Sequence, residues 1–141
     1  MVDIRFEGGS VAGDDMSVAA LFYERHASTL TTPVPANVQG HRLFRYEKSD
    51  LRPLQIVSLG TDQHDNSVYH WYIDGTRVDS ISGSAAIGSV MQPYRLPRPI
   101  RVELSIELKI DNYNGKAYPN DGAALPVDRV PYECVVSGFW G

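Results

Sequence analysis

Four residues that could bind a metal ion lie within or just after the polar segment 60–66. His64 and His70 are six positions apart, and Asp62 and Asp65 lie close to His64. Imidazole and carboxylate groups could share an ion if the fold brought them together. Their spacing matches no usual ligand motif, and polar segments of this composition are typical of turns. We therefore expect a solvated turn here and no metal site.

Two further segments carry side-chain oxygens of the kind that calcium prefers. They are the run Asp-Asn-Tyr-Asn-Gly at 111–115 and the run Asn-Asp-Gly at 120–122. Neither has the regularly alternating carboxylates of a calcium loop. Asn, Asp and Gly are also the residues that tight turns prefer, so both runs predict turns.

Nucleophilic catalysis finds little support in this sequence. The only cysteine, Cys134, alternates with apolar neighbours, which is typical of a small core residue. A catalytic cysteine would need a histidine base, and nothing near Cys134 suggests one. Ser137-Gly138 is no nucleophile elbow, and phosphate-binding glycine loops and zinc cysteine clusters are absent from the sequence. We predict that the protein is not an enzyme, has no catalytic residue and needs no cofactor.

Bulky aromatic side chains indicate a surface that could bind a ligand or another protein. In the segment 67–73, Tyr69 and Trp71 share one face of a predicted strand, and the opposite face carries His70 and Tyr72. One face must line the core. The other could be an exposed platform, as in carbohydrate binding, or be covered by a second subunit or by the domain's own loops. Tyr69 and Trp71 are therefore possible interface residues.

A second aromatic pair, Phe139 and Trp140, stands beside the last residue, Gly141. Because chain ends usually fray, a tryptophan at this position predicts that something covers it. The cover could be the core of the domain itself or a neighbouring chain. We add Phe139 and Trp140 to the possible interface residues.

The elements that must position these side chains are strands. From 99 to 111 every second residue is aliphatic. A period of two is typical of a strand that is buried on one face and wet on the other. We predict one long strand over 99–111, with Ile106 on its buried face and Glu107 on its wet face.

The rest of the chain supports an all-β protein. Asp74-Gly75 is the dipeptide that two-residue type I′ turns prefer, so a hairpin is predicted at 67–79. Residues 16–25 fit a short helix or a strand, and we favour the strand. Further strands are predicted at 2–7, 41–47, 54–59 and 131–140. Loops are predicted at 29–40, 80–89 and 117–131. Seven or eight mostly antiparallel strands fit a single-domain β-sandwich or jelly roll over 1–141.

The composition disfavours several classes of function. The chain has 141 residues, of which 43% are hydrophobic and 21% charged, as in an ordinary soluble domain. Its formal net charge of −4 disfavours a general role in binding nucleic acid. No run of eighteen apolar residues occurs, so we expect no membrane span. The first residues lack the basic start and apolar stretch of a signal peptide, so we do not expect export by the ordinary secretory route.

The long amphipathic segment 100–110, the hairpin 69–78 and the last strand 132–140 together resemble the single-β-barrel minor capsid, penton and decoration proteins of viruses. The resemblance is to an architecture over the whole chain, so it transfers no functional residue. It implies a jelly roll in a virion, in contact with other copies of itself or with other β-domain shell proteins.

Two alternatives stay open. A carbohydrate- or ligand-binding β-sandwich would expose Tyr69 and Trp71 beside polar groups. A small β-barrel enzyme would need a buried cluster of histidine and carboxylate side chains in a pocket.

Overall fold

The computed structural model describes residues 21–62, 64–84, 87–120 and 130–141. These residues form eight strands and one short 3-10 helix, Asp79–Ile81. The strands are β1 Leu21–Ala27, β2 Val38–Glu47, β3 Leu54–Thr61, β4 Ser67–Ile73, β5 Thr76–Arg77, β6 Tyr94–Val102, β7 Ser105–Asn112 and β8 Glu133–Trp140.

The strands form two four-stranded antiparallel sheets. One sheet has the order β1-β8-β3-β6, and the other has the order β2-β7-β4-β5. The first strand thus pairs with the last, the second with the seventh, the third with the sixth and the fourth with the fifth. Successive pairs alternate between the two sheets. This wrapped order is that of a jelly roll, so the predicted all-β sandwich is confirmed.

The core lies between the two sheets and is filled with large apolar side chains. Inward positions alternate with outward positions along each strand, as the period of two predicts. The largest fully buried side chains are Trp71, Tyr69, Tyr132, Leu54, Ile56, Leu59, Ile106, Leu108, Ile110, Val34, Val102 and Val136.

The single strand expected over 99–111 is wrong. β6 ends at Val102 and β7 begins at Ser105, and the two strands belong to different sheets. Between them, the carboxylate of Asp74 accepts hydrogen bonds from the backbone N–H groups of Glu103, Leu104 and Ser105. These N–H groups therefore bind a side chain instead of a neighbouring strand. The period of two continues across the break, so the pattern alone could not reveal it.

The outer face of β7 is also less exposed to solvent than the sequence pattern predicts. The side chain of Glu107 is only 8% exposed, and its carboxylate lies 2.5 Å from Nε of Arg42 and 3.6 Å from Nη1 of Arg45. Both arginines stand on the neighbouring strand β2. Their long side chains lie over the strand and cover Glu107.

The hairpin prediction is confirmed. Asp74 and Gly75 have positive φ values of 52° and 83°, as a type I′ turn requires. The returning strand is short, because β5 contains two residues and is followed by the 3-10 helix. The strand assignment for 16–25 is confirmed from Leu21 onward, whereas residues 16–20 and the strand predicted at 2–7 lie outside the described residues.

Three connections at one end of the sandwich are longer than any at the other end. They are 28–37, 78–93 and 113–132, and the shorter connection 62–66 lies at the same end. They contact one another through backbone hydrogen bonds, such as Asn37 N–H to Asn114 O and Tyr113 N–H to Asn66 O. At the other end are the short connections 48–53, 74–75 and 103–104. No helix among the described residues is long and apolar enough to cross a membrane.

Candidate protein–protein interface

Tyr69 and Trp71, two of the predicted interface residues, lie in the core. They are 2% and 1% exposed, because their face of β4 turns toward the other sheet. The hydroxyl of Tyr69 accepts a hydrogen bond from the backbone N–H of His64 at 2.8 Å. Burial raises the pKa of this hydroxyl. The prediction of an exposed aromatic platform at Tyr69 and Trp71 is therefore wrong, because β4 is packed on its aromatic side.

Trp140 is covered by its own domain. It points inward from β8, and its ring contacts Phe22 at 6.0 Å and Tyr46 at 6.3 Å between centroids, both edge-on. The guanidinium of Arg52 lies 5.3 Å from the centre of the indole ring. Of the two covers left open by the sequence, the domain's own core is the one that is present.

Phe139 takes the opposite orientation and lies on the outer side of β8. In the sheet it stands directly opposite Leu21 of β1, and Tyr23 stands opposite Ser137. Leu21 is 57% exposed and Tyr23 is 62% exposed. We call Leu21, Tyr23 and Phe139 the edge patch.

Leu21 and Tyr23 cannot be identified as surface residues from the sequence. Residues 16–25 fit a helix as well as a strand, and a helix would put other side chains outward. Once β1 is a strand with Phe22 inward, its neighbours Leu21 and Tyr23 must point outward. Exposed apolar side chains that are grouped in this way are typical of contact surfaces.

An ion pair borders the edge patch. Arg25 of β1 contacts Glu133 of β8 at 2.5 Å. The hydrogen bond to Glu133 raises the pKa of Arg25. An apolar centre with a polar rim is the usual composition of a protein–protein interface.

The edge patch lies on a strand edge that has few protecting features. Among the strands that the structure describes, β1, β6, β2 and β5 stand at the edges of the two sheets. β6 contains Pro97 and Pro99, which lack the backbone N–H that donates hydrogen bonds in a sheet. Two register shifts distort β2, and β5 has only two residues. β1 has seven residues, no proline and an unbroken register with β8. Proline, bulges and short length are three of the features that keep an edge from adding a further strand, and β1 has none of these three.

The two histidines considered as possible metal ligands lie apart from each other. His64 is buried between the rings of Tyr118 and Tyr132, each 4.3 Å from it, and its Nε2 contacts the carbonyl of Pro131. His70 instead lies on the outer face of β4, where its Nε2 contacts Asp111 at 2.8 Å. In the part of the chain that the structure describes, no three histidine, cysteine or acidic residues are grouped to hold a metal.

Asp111 and the turn that follows it form a polar network. Burial alone would raise the pKa of Asp111, but hydrogen bonds from His70 and from the N–H of Gly40 outweigh burial and lower it. The side chain of Asn112 accepts from the N–H of Asn114 and donates to two carbonyls, so the turn predicted at 111–115 is confirmed. The run at 120–122 extends beyond the described residues.

Cys134 is a core residue, as predicted. It is 1% exposed on the inner face of β8. Burial raises the pKa of its thiol to about 12, so the thiol stays protonated and unreactive at neutral pH.

Comparisons of this chain with protein-family models, with curated proteins and with solved structures found no match. Its function therefore has to be inferred from its own strand order and its own surface.

Proposed function

We propose that this protein is a non-enzymatic structural subunit of a virion. It would be a minor capsid, penton or decoration component, assembled in the cytoplasm, that acts by contacting other copies of itself or other β-domain shell proteins. The observation that carries this proposal is the jelly-roll order β1-β8-β3-β6 and β2-β7-β4-β5. Jelly rolls occur in viral capsids and in lectin-type domains, so the choice between these classes depends on the surface.

The described aromatic side chains favour assembly over carbohydrate binding. Carbohydrate sites on β-sandwiches need exposed aromatic faces beside hydrogen-bonding groups. The aromatic face of β4 is buried. Most exposed aliphatic and aromatic side chains are isolated from one another, whereas Leu21 and Tyr23 lie together on the outer side of β1, next to the Arg25–Glu133 ion pair. An edge of this kind suits another protein domain better than a sugar.

A ligand site between the sheets is also disfavoured. Such a site needs polar side chains that point inward and space between the sheets. The inward positions of β7 are Ile106, Leu108 and Ile110, which are all fully buried, and they face an equally apolar opposite sheet. Packing of this kind stabilises a rigid subunit.

The edge patch alone is too small for a stable contact. A standard interface buries about 800 Å² on each partner, and three side chains supply only part of that area. The remainder would come from the outer face of the β1-β8-β3-β6 sheet, where Gln55 lies beside Phe139 and Ser58 beside Ser137. We expect the interface to extend from the edge across β8 to β3.

Light scattering coupled to size-exclusion chromatography tests the proposal. The wild-type protein should elute as a multimer, with a mass that depends on salt and protein concentration. Tyr23→Asp places a charge in the edge patch without touching the core, so it should shift the protein toward monomer by about tenfold or more in the dissociation constant.

Leu51→Asp is the matched control, because Leu51 is fully exposed at the end of the sandwich with the short connections. This variant should assemble like the wild type. A wild-type protein that is monomeric at every salt and protein concentration would contradict the proposal, as would equal effects of Tyr23→Asp and Leu51→Asp.

A further inference from the structure

We propose that the edge of β1 binds the segment 2–7 of a second copy of this chain as an added antiparallel strand. The inference rests on the proposed function, since it names the partner that the edge takes up when copies assemble. Adding a strand to an open edge is a common mode of recognition, in which backbone hydrogen bonds supply affinity and side chains supply specificity.

The edge itself has one feature that restricts its partner. On its inner side, next to Phe22, β1 carries Glu24 and His26, whose side chains form a hydrogen bond at 2.9 Å, and the ring of His26 contacts Phe44. Inward polar groups of this kind disfavour the addition of an apolar strand, because that strand would cover them without partners. A strand that fits this edge must bring a positive charge to Glu24 and a hydrogen-bond acceptor to His26.

The segment 2–7, Val-Asp-Ile-Arg-Phe-Glu, has the required alternation. Its even positions are apolar and its odd positions are charged. In an antiparallel register that places Phe6 opposite Tyr23, Arg5 lies opposite Glu24 and Asp3 lies opposite His26. Opposite charges on directly paired positions stabilise a sheet, and like charges destabilise it.

The same register also completes the outer face. Phe6 would cover the exposed ring of Tyr23, and Gly8 would stand opposite Leu21. Ile4 would lie along the aliphatic part of Arg25, which is held by Glu133. The two neighbouring registers that keep the apolar face outward are worse, because one pairs Asp3 with Glu24 and the other pairs Arg5 with His26.

The chain has enough length to reach a neighbouring copy. Residues 8–20 separate the segment from Leu21. At about 3.3 Å per residue this connection spans up to roughly 43 Å when extended, which is sufficient to cross to a domain packed alongside.

Disulfide trapping tests the pairing in the full-length protein. Phe6→Cys and Tyr23→Cys are made in separate chains, mixed in equal amounts and oxidised mildly. Directly opposed positions lie within the distance that a disulfide can bridge, so mixed dimers linked between 6 and 23 should form. The native Cys134 is buried and stays reduced.

The control mixture combines Arg5→Cys with Tyr23→Cys, whose side chains would point to opposite faces of the sheet. It should give roughly tenfold less mixed dimer. A charge reversal provides a second measurement. Glu24→Lys should reduce the trapped dimer by a similar factor, and Arg5→Glu in the partner chain should restore it.

Three results would overturn the inference. The first is a 6–23 yield no higher than that of the control. The second is a Tyr23→Cys protein that mainly links to itself, which would mean that two β1 edges pair directly. The third is a chain carrying both cysteines that closes on itself as a monomer. In each case a multimeric wild-type mass would leave the assembly proposal standing, whereas a monomeric wild type would remove both.

Discussion

Asp74 performs two structural tasks with one residue. Its backbone adopts the positive φ of the hairpin turn, and its carboxylate accepts from three consecutive N–H groups at the crossover between the sheets. Burial alone would raise the pKa of Asp74, but these N–H groups outweigh it and lower the pKa. The ionised carboxylate therefore stabilises the folded state.

Asp74→Asn tests this role, since asparagine tolerates the same backbone conformation. We expect the substitution to lower the free energy of unfolding by about 1–2 kcal/mol at neutral pH. Because the folded-state pKa is depressed, this contribution is complete above the unfolded pKa and is lost as pH falls through the folded value. Urea titrations should show the wild type and the variant converging below about pH 4. Asp79→Asn, at an exposed position, should change stability by less than about 0.5 kcal/mol.

Glu107 shows how neighbouring strands can bury a residue that the pattern places outside. Its carboxylate is covered by Arg42 and Arg45, so Glu107→Ala removes the 2.5 Å contact of Arg42 and leaves Arg45 with its contact to Glu47. Because the arginines keep access to water, we expect a loss of about 1–2 kcal/mol and not the larger cost of a fully buried charge. Glu47→Ala removes an exposed partner of Arg45 and should cost less than about 0.5 kcal/mol. Equal costs in denaturant melts would show that burial by the arginines contributes nothing.

The hairpin between β4 and β5 depends on its glycine. Gly75 has a φ of 83°, and no other atom lies within 4 Å of the position that a Cβ would occupy, so conformation and not crowding restricts this residue. Gly75→Val should lower the free energy of unfolding by about 1–3 kcal/mol. Gly115→Val is the control, because Gly115 is equally open and has no positive φ. Similar melting temperatures for the two variants would contradict this account of the turn.

Two aliphatic residues of the same alternating pattern differ in burial, because the chain crosses from one sheet to the other between β6 and β7. Ile106 is fully buried in β7, whereas Leu104, two positions earlier, is 66% exposed at the crossover. Ile106→Asp should cost several kcal/mol because it buries an unpaired carboxylate. Leu104→Asp should cost less than about 0.5 kcal/mol. Comparable losses in urea titrations would mean that the two sheets are joined by one continuous strand.

Local patterns are sufficient to predict the strands, but not which strands pair or which face of each strand enters the core. The Asp74-Gly75 turn and the alternation of β4, β7 and β8 follow from short-range preferences. Which face of β4 enters the core depends on residues far away in sequence, so Tyr69 and Trp71 could be assigned to the surface. The break at 103–104 depends on Asp74, about thirty positions earlier, and no local signal marks it.

The edge patch is predictable only once strand order is known. Phe139 could be selected from the sequence, but its neighbours Leu21 and Tyr23 become adjacent to it only because the first described strand pairs with the last. Jelly-roll pairing joins segments that are distant along the chain, and their contacts leave no short-range pattern. The same pairing creates the free edge at β1.

At the scale of the whole molecule, one end of the sandwich is built as a polar and aromatic cluster. His64 stacks between Tyr118 and Tyr132, and the hydroxyl of Tyr132 shares a hydrogen bond with Ser67 at 2.5 Å. The long connections are held together there. The connections at the opposite end, 48–53, 74–75 and 103–104, have six residues or fewer.

Hydrogen–deuterium exchange of the β1 amides, measured as a function of protein concentration, tests this account most directly. In the sheet, every second amide of β1 bonds to β8, and the others point away from the sheet at the free edge. Assembly through this edge predicts that these outward amides of Leu21–Ala27 exchange rapidly in dilute protein and become protected as concentration rises. Protection that rises elsewhere while β1 stays unchanged, or no change at any concentration, would contradict the central claim.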